Sequence, residues 1–256
     1  MPLRQGFSAG NTQSMVPQSR ALPVLITRPD PQGQRFAQDL KARFGDRVVT
    51  IATPLLHPVC LEPRLPEGPF GAVVLTSETG ARAAGRLRGF GLPKLAFCVG
   101  ARTAAVATEE GFHPLSAEGD AQDLLQLLIA QRQHAPFLHL RGRESRGDVV
   151  EQMQAQGIPA AEAVVYAQDA APLSPEAVAI LSSPGLVAVP LFSPRTASLF
   201  RAAVAQVPVR ARLALFAMSA AVAAEVQGME AASLHVAAHP TQRDIANSMA
   251  AALFLA

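Results

Sequence analysis

Ala163-Val164-Val165-Tyr166-Ala167-Gln168 holds the only tyrosine of the chain, on a short β-branched run with apolar flanks. A run of this length and composition reads as a buried strand. A phenol is oddly placed there as core filler, because its hydroxyl needs a partner once buried. The run also falls where one half of the sequence ends and returns to material begun near the N-terminus. It therefore predicts a seam between two similar α/β units, with Tyr166 pointing into the cleft between them.

The surrounding chain alternates strands and helices, which argues for parallel sheets flanked by helices. Strands are expected at 24–28, 48–51, 71–75, 95–99, 137–140, 186–192 and 213–217. Helices follow most of them: Asp30 as N-cap with Pro31 at the first helical position, Ser77, the Asp120 to Asp123 capping box, Ser174-Pro175, Ser193-Pro194, Ser219, and the Thr241 to Asp244 start of a last helix over 245–255. Pro54, Pro58, Pro63 and Pro66 keep helix out of 52–68, which reads as an extended crossing segment.

The halves repeat. Leu75-Thr76-Ser77 before a helix answers Leu191-Phe192-Ser193 before a helix, Val99-Gly100-Ala101-Arg102-Thr103 answers Phe216-Ala217-Met218-Ser219-Ala220, and Gly111 answers Gly228. The first strand and helix resemble 137–157.

In parallel sheets ligands bind outside the carboxyl ends of the strands, where helix N-termini offer free N–H groups. Those ends are Thr27-Arg28, Thr76-Ser77, Gly100-Ala101-Arg102-Thr103, a loop Arg141-Gly142-Arg143, Ser193-Pro194-Arg195 and Met218-Ser219. Hydroxyls, glycine and arginine recur, which suits a multiply anionic ligand. Singly, each has an ordinary structural reading as a cap or a solvated charge; the argument rests on the set recurring.

Composition narrows the classes. A chain of 256 residues fits two domains of roughly 100 to 120 residues each. Half of it is apolar (49%) with only 5% aromatics, so the cores must be built from Ala, Val and Leu. Cys60 and Cys98 stand alone without a CxxC pattern, and the six histidines lack metal-ligand spacing, so neither a disulfide framework nor a metal site is expected. No apolar run reaches the roughly 18 to 20 residues of a membrane span. Residues 1–21 lack the continuous apolar core of a secretory signal and read as a disordered leader, which leads us to expect a cytoplasmic protein. A net charge of +2 excludes an electrostatic case for nucleic acid. Among 22 Lys and Arg only Lys41 and Lys94 are lysines, and the arginine fork binds carboxylates with two hydrogen bonds. GxGxxG, Walker and GxSxG motifs are absent, which disfavours dinucleotide, NTP and esterase chemistry.

In order, Val-Leu-Ile-Thr-Arg-Pro from Val24, the Thr76-Ser77 strand end, Val99-Gly100-x-x-Thr103, Arg141-Gly142-Arg143 before a helix, Val164-Val165-Tyr166, Phe192-Ser193-Pro194 and His239-Pro240-Thr241 resemble the uroporphyrinogen-III synthase family. The likeness covers nearly all of 22–256. It implies two flavodoxin-like parallel-sheet domains joined by a two-stranded β connection: 22–49 plus 170–256 as a discontinuous first domain, 69–161 as the second, 50–68 and 162–169 as connections. It further implies a cofactor-independent, metal-free cyclisation and dehydration of hydroxymethylbilane, with inversion of the last ring, in haem biosynthesis. A monomer without nucleic-acid or membrane partners is expected. By the same resemblance Tyr166 is the candidate proton donor to the leaving hydroxyl and Thr103 a catalytic threonine lining the cleft. Ala217 and Ala220 depart from the family's Gly and Thr. A non-catalytic, two-domain anion-binding protein is the alternative; it would need an export signal, and none is visible.

Overall fold

The computed structural model describes residues 21–144 and 148–254. The expected leader falls outside them except for Ala21, as does Leu255. The described chain forms two compact units, one running to Thr53 and resuming at Ser174, the other spanning Pro54–Leu173.

The first unit opens with β1 (Leu22–Ile26), α1 (Gln32–Phe44) and β2 (Val48–Ala52). The second runs β3 (Leu56–Cys60), β4 (Ala72–Leu75), α2 (Glu78–Arg86), β5 (Leu95–Cys98), α3 (Ala101–Glu109), β6 (His113–Ser116), α4 (Ala121–Ala130), β7 (Phe137–Gly142), α5 (Val149–Ala155) and β8 (Ala160–Ala170). The first then resumes as α6 (Pro175–Leu181), β9 (Leu186–Leu191), α7 (Pro194–Val204), β10 (Arg212–Ala217), α8 (Ala220–Glu225), β11 (Ser233–Val236) and α9 (Gln242–Phe254).

In the first unit all strands are parallel in the order β2-β1-β9-β10-β11. The alternate side chains of these strands feed opposite faces. Val24, Ile26, Ala188, Ala214 and Phe216 meet Phe36 and Leu40 of α1 and Ile245 and Met249 of α9 on one face. In the second unit Val73, Leu75, Cys98, Leu138 and Leu140 meet α2 and α3. Ala72, Val74, Phe97 and Phe137 meet α4 and α5 on the other face. Read from β7, the second sheet has the order β8-β7-β4-β5-β6, the same as the first. That is the doubly wound order 2-1-3-4-5, and the second sheet adds β3 antiparallel at its edge. Pro58 is tolerated in β3 because an edge strand can spare a donor.

Several expectations need correction. Arg141 and Gly142 are not loop: they close β7 against β8, with a register shift between them. Residues 50–52 belong to β2 rather than to a connection, and β8 is partly a member of the parallel sheet, because 160–164 and Tyr166 pair with β7 while 166–170 pair with β3. Pro31, not Asp30, holds the N-cap of α1 and makes no side-chain cap. Backbone bonds Gly33 N to Pro29 O and Arg35 N to Pro31 O close that turn, while the Asp30 carboxylate takes Gln34 Nε2. Strands β6 and β11 were not expected; each is a four-residue edge strand whose side chains alternate between half-buried and exposed. Their weak apolar pattern hides them.

The repeat also shifts. Leu75 pairs with Cys98 in one sheet and Leu191 with Ala217 in the other. Val99 N bonds Leu75 O as Met218 N bonds Leu191 O. Gly100 therefore corresponds to Ser219, two positions later than the sequence pairing with Ala217. Gly111 follows its cap by 11 residues (111 − 100) and Gly228 by 9 (228 − 219), so the two glycines run two positions out of step with the caps.

Candidate functional site

Helix caps set the geometry at the carboxyl ends of the strands. Ser77 caps α2 with φ −154° and ψ 153°, and Ser193 caps α7 with φ −147° and ψ 151°. Gly100 caps α3 at φ −158°, ψ 170°, and Ser219 caps α8 at φ −157°, ψ 169°. In each case extended backbone turns into helix directly after a buried strand, so the residue after the strand lies at the sheet's rim.

In the second unit this rim holds the phenol. Tyr166 pairs with Gly142, the last residue of β7, and is 8% exposed. Its hydroxyl shares a 3.0 Å hydrogen bond with Ser77 Oγ, which also accepts Gly80 N–H at 2.9 Å. The ring lies over two glycines. A Cβ at Gly142 would stand 2.6 Å from the ring's Cζ and 2.8 Å from its hydroxyl, and one at Gly80 would stand 3.7 Å from Cε1. Arg143 N donates to Tyr166 O at 2.8 Å, fixing the backbone around the ring.

Beside it, Thr76 Oγ1 shares a hydrogen bond of 3.3 Å with His139 Nε2. Burial pushes the His139 imidazole down to about 4, with Arg141 adding to the fall and Glu162 opposing it. It is therefore neutral at pH 7. Arg141 is held by Glu162 at 2.6 Å and by the Gly142 carbonyl; the pairing lowers the Glu162 carboxyl and raises the guanidinium. Arg102 and Arg143 are exposed and make no ion pair among the described residues. Thr103 is buried at the third position of α3, where Gly100 offers no side chain to bond it, and Ala101 is exposed at the first.

The first unit's rim is different in chemistry. Thr27 is fully buried, its hydroxyl reaching Pro190 O at 3.5 Å. The Arg28 guanidinium bonds Gln242 Oε1 at 3.0 Å and lies 4.2 Å above the Phe192 ring. Ser193 Oγ accepts Thr196 N–H and donates to Thr196 Oγ1. Ser219 Oγ accepts Val222 N–H at 3.4 Å, and Pro194, Arg195 and Met218 are half-buried. The structure thus joins Ser77, Gly142, Arg143 and Tyr166 in one cluster of the second unit. Thr27, Arg28 and Ser193 are tied to partners inside the first. Sequence reasoning missed His139, Glu162 and Gly80. A serine cap followed three residues later by glycine was the available signal for the last.

Among the described residues no cluster of three or more His, Cys, Asp or Glu could hold a metal ion, and no helix is long and apolar enough to cross a membrane. Burial pushes the Cys98 thiol up to about 12, which leaves it inert at neutral pH.

Fold and rim together define a two-unit, doubly wound α/β protein with hydroxyls and arginines at its strand ends and one seated phenol. A family model described as "Uroporphyrinogen-III synthase HemD" matches residues 36–247. The chain belongs to the uroporphyrinogen-III synthase family, cyclising hydro-lyases that convert hydroxymethylbilane to uroporphyrinogen III in porphyrin biosynthesis. Among solved structures, uroporphyrinogen-III synthetase from Helicobacter pylori matches with TM-score 0.57 and 16% identity, over 89% of this chain and 97% of that one, and so shares the fold. A mutant uroporphyrinogen III synthase from Thermus thermophilus matches with TM-score 0.44 and 12% identity over 89% and 97%. No curated protein matches the sequence. The non-catalytic alternative finds no support in these likenesses.

Proposed function

We propose that Tyr166 is the general acid of the synthase reaction, and that the strand-end residues of both units bind the substrate's carboxylates. The observation that carries this reading is the phenol held at 3.0 Å from Ser77 Oγ at the carboxyl end of the sheet. In the step, the Tyr166 O–H bond breaks and its proton goes to the hydroxyl oxygen on the terminal methylene. The C–O bond breaks, its electron pair leaves with water, and the terminal pyrrole becomes an azafulvenium-like cation. The proton released as ring closure restores the aromatic pyrrole re-forms the phenol. General acid catalysis of this kind contributes about 10² to 10⁴ in rate.

Thr103 is the second hydroxyl of the site in this reading, supported by its lack of a cap partner. Arg102, Arg143 and Arg195, with the backbone N–H groups that follow Ser77, Gly100, Ser193 and Ser219, supply charge and donors for carboxylates. Arg141 is committed to Glu162 and orients the end of β7 instead. Thr27, Arg28, Thr76, Ala101, Gly142, Pro194 and Met218 shape the same strand ends. The permuted identity of the two strand orders supports an internal duplication. We further read the protein as a cytoplasmic monomer, which sedimentation at working concentration tests in its second part.

Incubation of the purified protein with enzymatically generated hydroxymethylbilane, oxidation and separation of the uroporphyrin isomers tests the reading. Isomer III is expected. Formation of the spontaneous isomer I alone would end it.

A further inference from the structure

We infer that Ser77 is a positioning residue for Tyr166: its hydroxyl donates to the phenol oxygen, so that the phenol's own proton faces outward. This rests on the reading of Tyr166 as proton donor.

The direction of the bond follows from the cap. Ser77 Oγ already accepts the Gly80 N–H at 2.9 Å, and a hydroxyl that accepts one bond becomes a better donor of its own. The equivalent serine shows where that proton goes when the helix offers an acceptor. Ser193 accepts Thr196 N–H and donates to Thr196 Oγ1 at 2.9 Å. At the same third helical position α2 has Gly80, which has no hydroxyl to receive it. The nearest side-chain acceptor for Ser77 is then the Tyr166 oxygen at 3.0 Å.

Glycine at that position also makes room, since a Cβ there would stand 3.1 Å from Ser77 Oγ and 3.3 Å from Leu140 O. Gly142 completes the seat from the other side, because any Cβ there would meet the ring. Two consequences follow for the chemistry. The Tyr166 proton is presented to the departing hydroxyl rather than spent on a protein oxygen. As the proton leaves, the phenolate keeps the Ser77 O–H as a donor, in turn polarised by the N-terminus of α2.

The test uses the full chain and two substitutions. Ser77→Gly removes the hydroxyl, and glycine is nearly as good an N-cap as serine. Ser77→Thr keeps a hydroxyl. The chain has one tyrosine and no tryptophan, so the tyrosine band in near-ultraviolet circular dichroism reports Tyr166 alone. For Ser77→Gly, kcat falls about tenfold while KM holds, and the tyrosine band of the free protein loses intensity; Ser77→Thr restores both. An unchanged kcat overturns the inference. So does a fall in kcat with an unchanged band, which would put Ser77 on the substrate directly, and so does an effect on KM alone. If Ser77→Gly does not fold, Ser77→Asp keeps a cap acceptor for Gly80 N–H but has no proton to give the phenol, and kcat is again expected to fall with KM held, or the inference fails. Because the band is read without substrate, a wild-type protein that makes only isomer I, or a Tyr166→Phe variant that keeps full turnover, would sink the proton-donor reading separately from the Ser77–Tyr166 geometry.

Discussion

Ser77 and Ser193 are the same cap twice, and they do different things. Both follow the strand that stands third in the 2-1-3-4-5 order, both have extended dihedrals within 7° of one another, and both accept the N–H three residues on. The difference lies at that third residue. Thr196 takes the Ser193 proton back into its own helix, whereas Gly80 has no hydroxyl and Ser77 Oγ shares its bond with the Tyr166 hydroxyl instead. The neighbouring residues diverge in the same sense, with Thr76 bonded to a buried imidazole and Phe192 lying beneath a guanidinium. One cap backbone thus stands in two places, and the side chain at its third helical position sets whether the cap hydroxyl bonds within its helix or to a neighbouring strand.

The comparison can be broken at the seat of the phenol first. Gly142→Ala forces the ring aside, and a displacement of about 1 Å in a catalytic group costs about a hundredfold in turnover; steady-state kinetics at saturating substrate check this, with far-ultraviolet circular dichroism confirming the fold. Next, Ser77→Gly removes the hydroxyl that faces the phenol and should lower kcat about tenfold in the same assay. A change at the other cap sharpens the contrast. Thr196→Val leaves Ser193 without its acceptor and should cost about 1 kcal/mol in urea denaturation while turnover stays at the wild-type level.

At His139 the expected signature is pH-dependent stability rather than turnover. Its imidazole is held at about 4 in the folded protein against 6.5 when free. Between those values the unfolded chain takes up a proton that the folded one refuses. Stability is therefore lost as pH falls from about 6.5 to about 4 and levels off below, a change of about 3 kcal/mol at most. Denaturation midpoints of His139→Gln against wild type over that range should show the slope reduced in the variant.

Much of this was legible in the sequence for physical reasons. The central strands announce themselves because both faces are buried, so Val24, Leu25 and Ile26, or Val187, Ala188 and Val189, form unbroken apolar runs. Serine and aspartate caps are local chemistry, and Ser77 and the reciprocal Asp120 and Asp123 box stand where the sequence puts them, whereas Asp30 yields the cap of α1 to Pro31. The edge strands β6 and β11 were not, because half-exposed edges carry no strong alternation. Nor could the repeat be registered to the residue: Ser219 stands where Gly100 does, and the shorter α8 moved the nearest glycine landmark. Tyr166 stood out by being alone in composition. Ser77 and Gly142 were legible only as strand ends and Gly80 not at all, since their contacts with the ring join residues far apart in sequence, brought together by the pairing of β4 with β7 and of β7 with β8.

The central claim is that Tyr166 supplies the proton, and Tyr166→Phe tests it most directly. The variant and wild type are given equal hydroxymethylbilane, and the initial rate of uroporphyrinogen III formation is followed with isomer separation. The account predicts isomer III from the wild type and, from a variant folded by circular dichroism, a rate lower by about 10² or more, with the spontaneous isomer I taking over. Isomer III formed by Tyr166→Phe at the wild-type rate would contradict it.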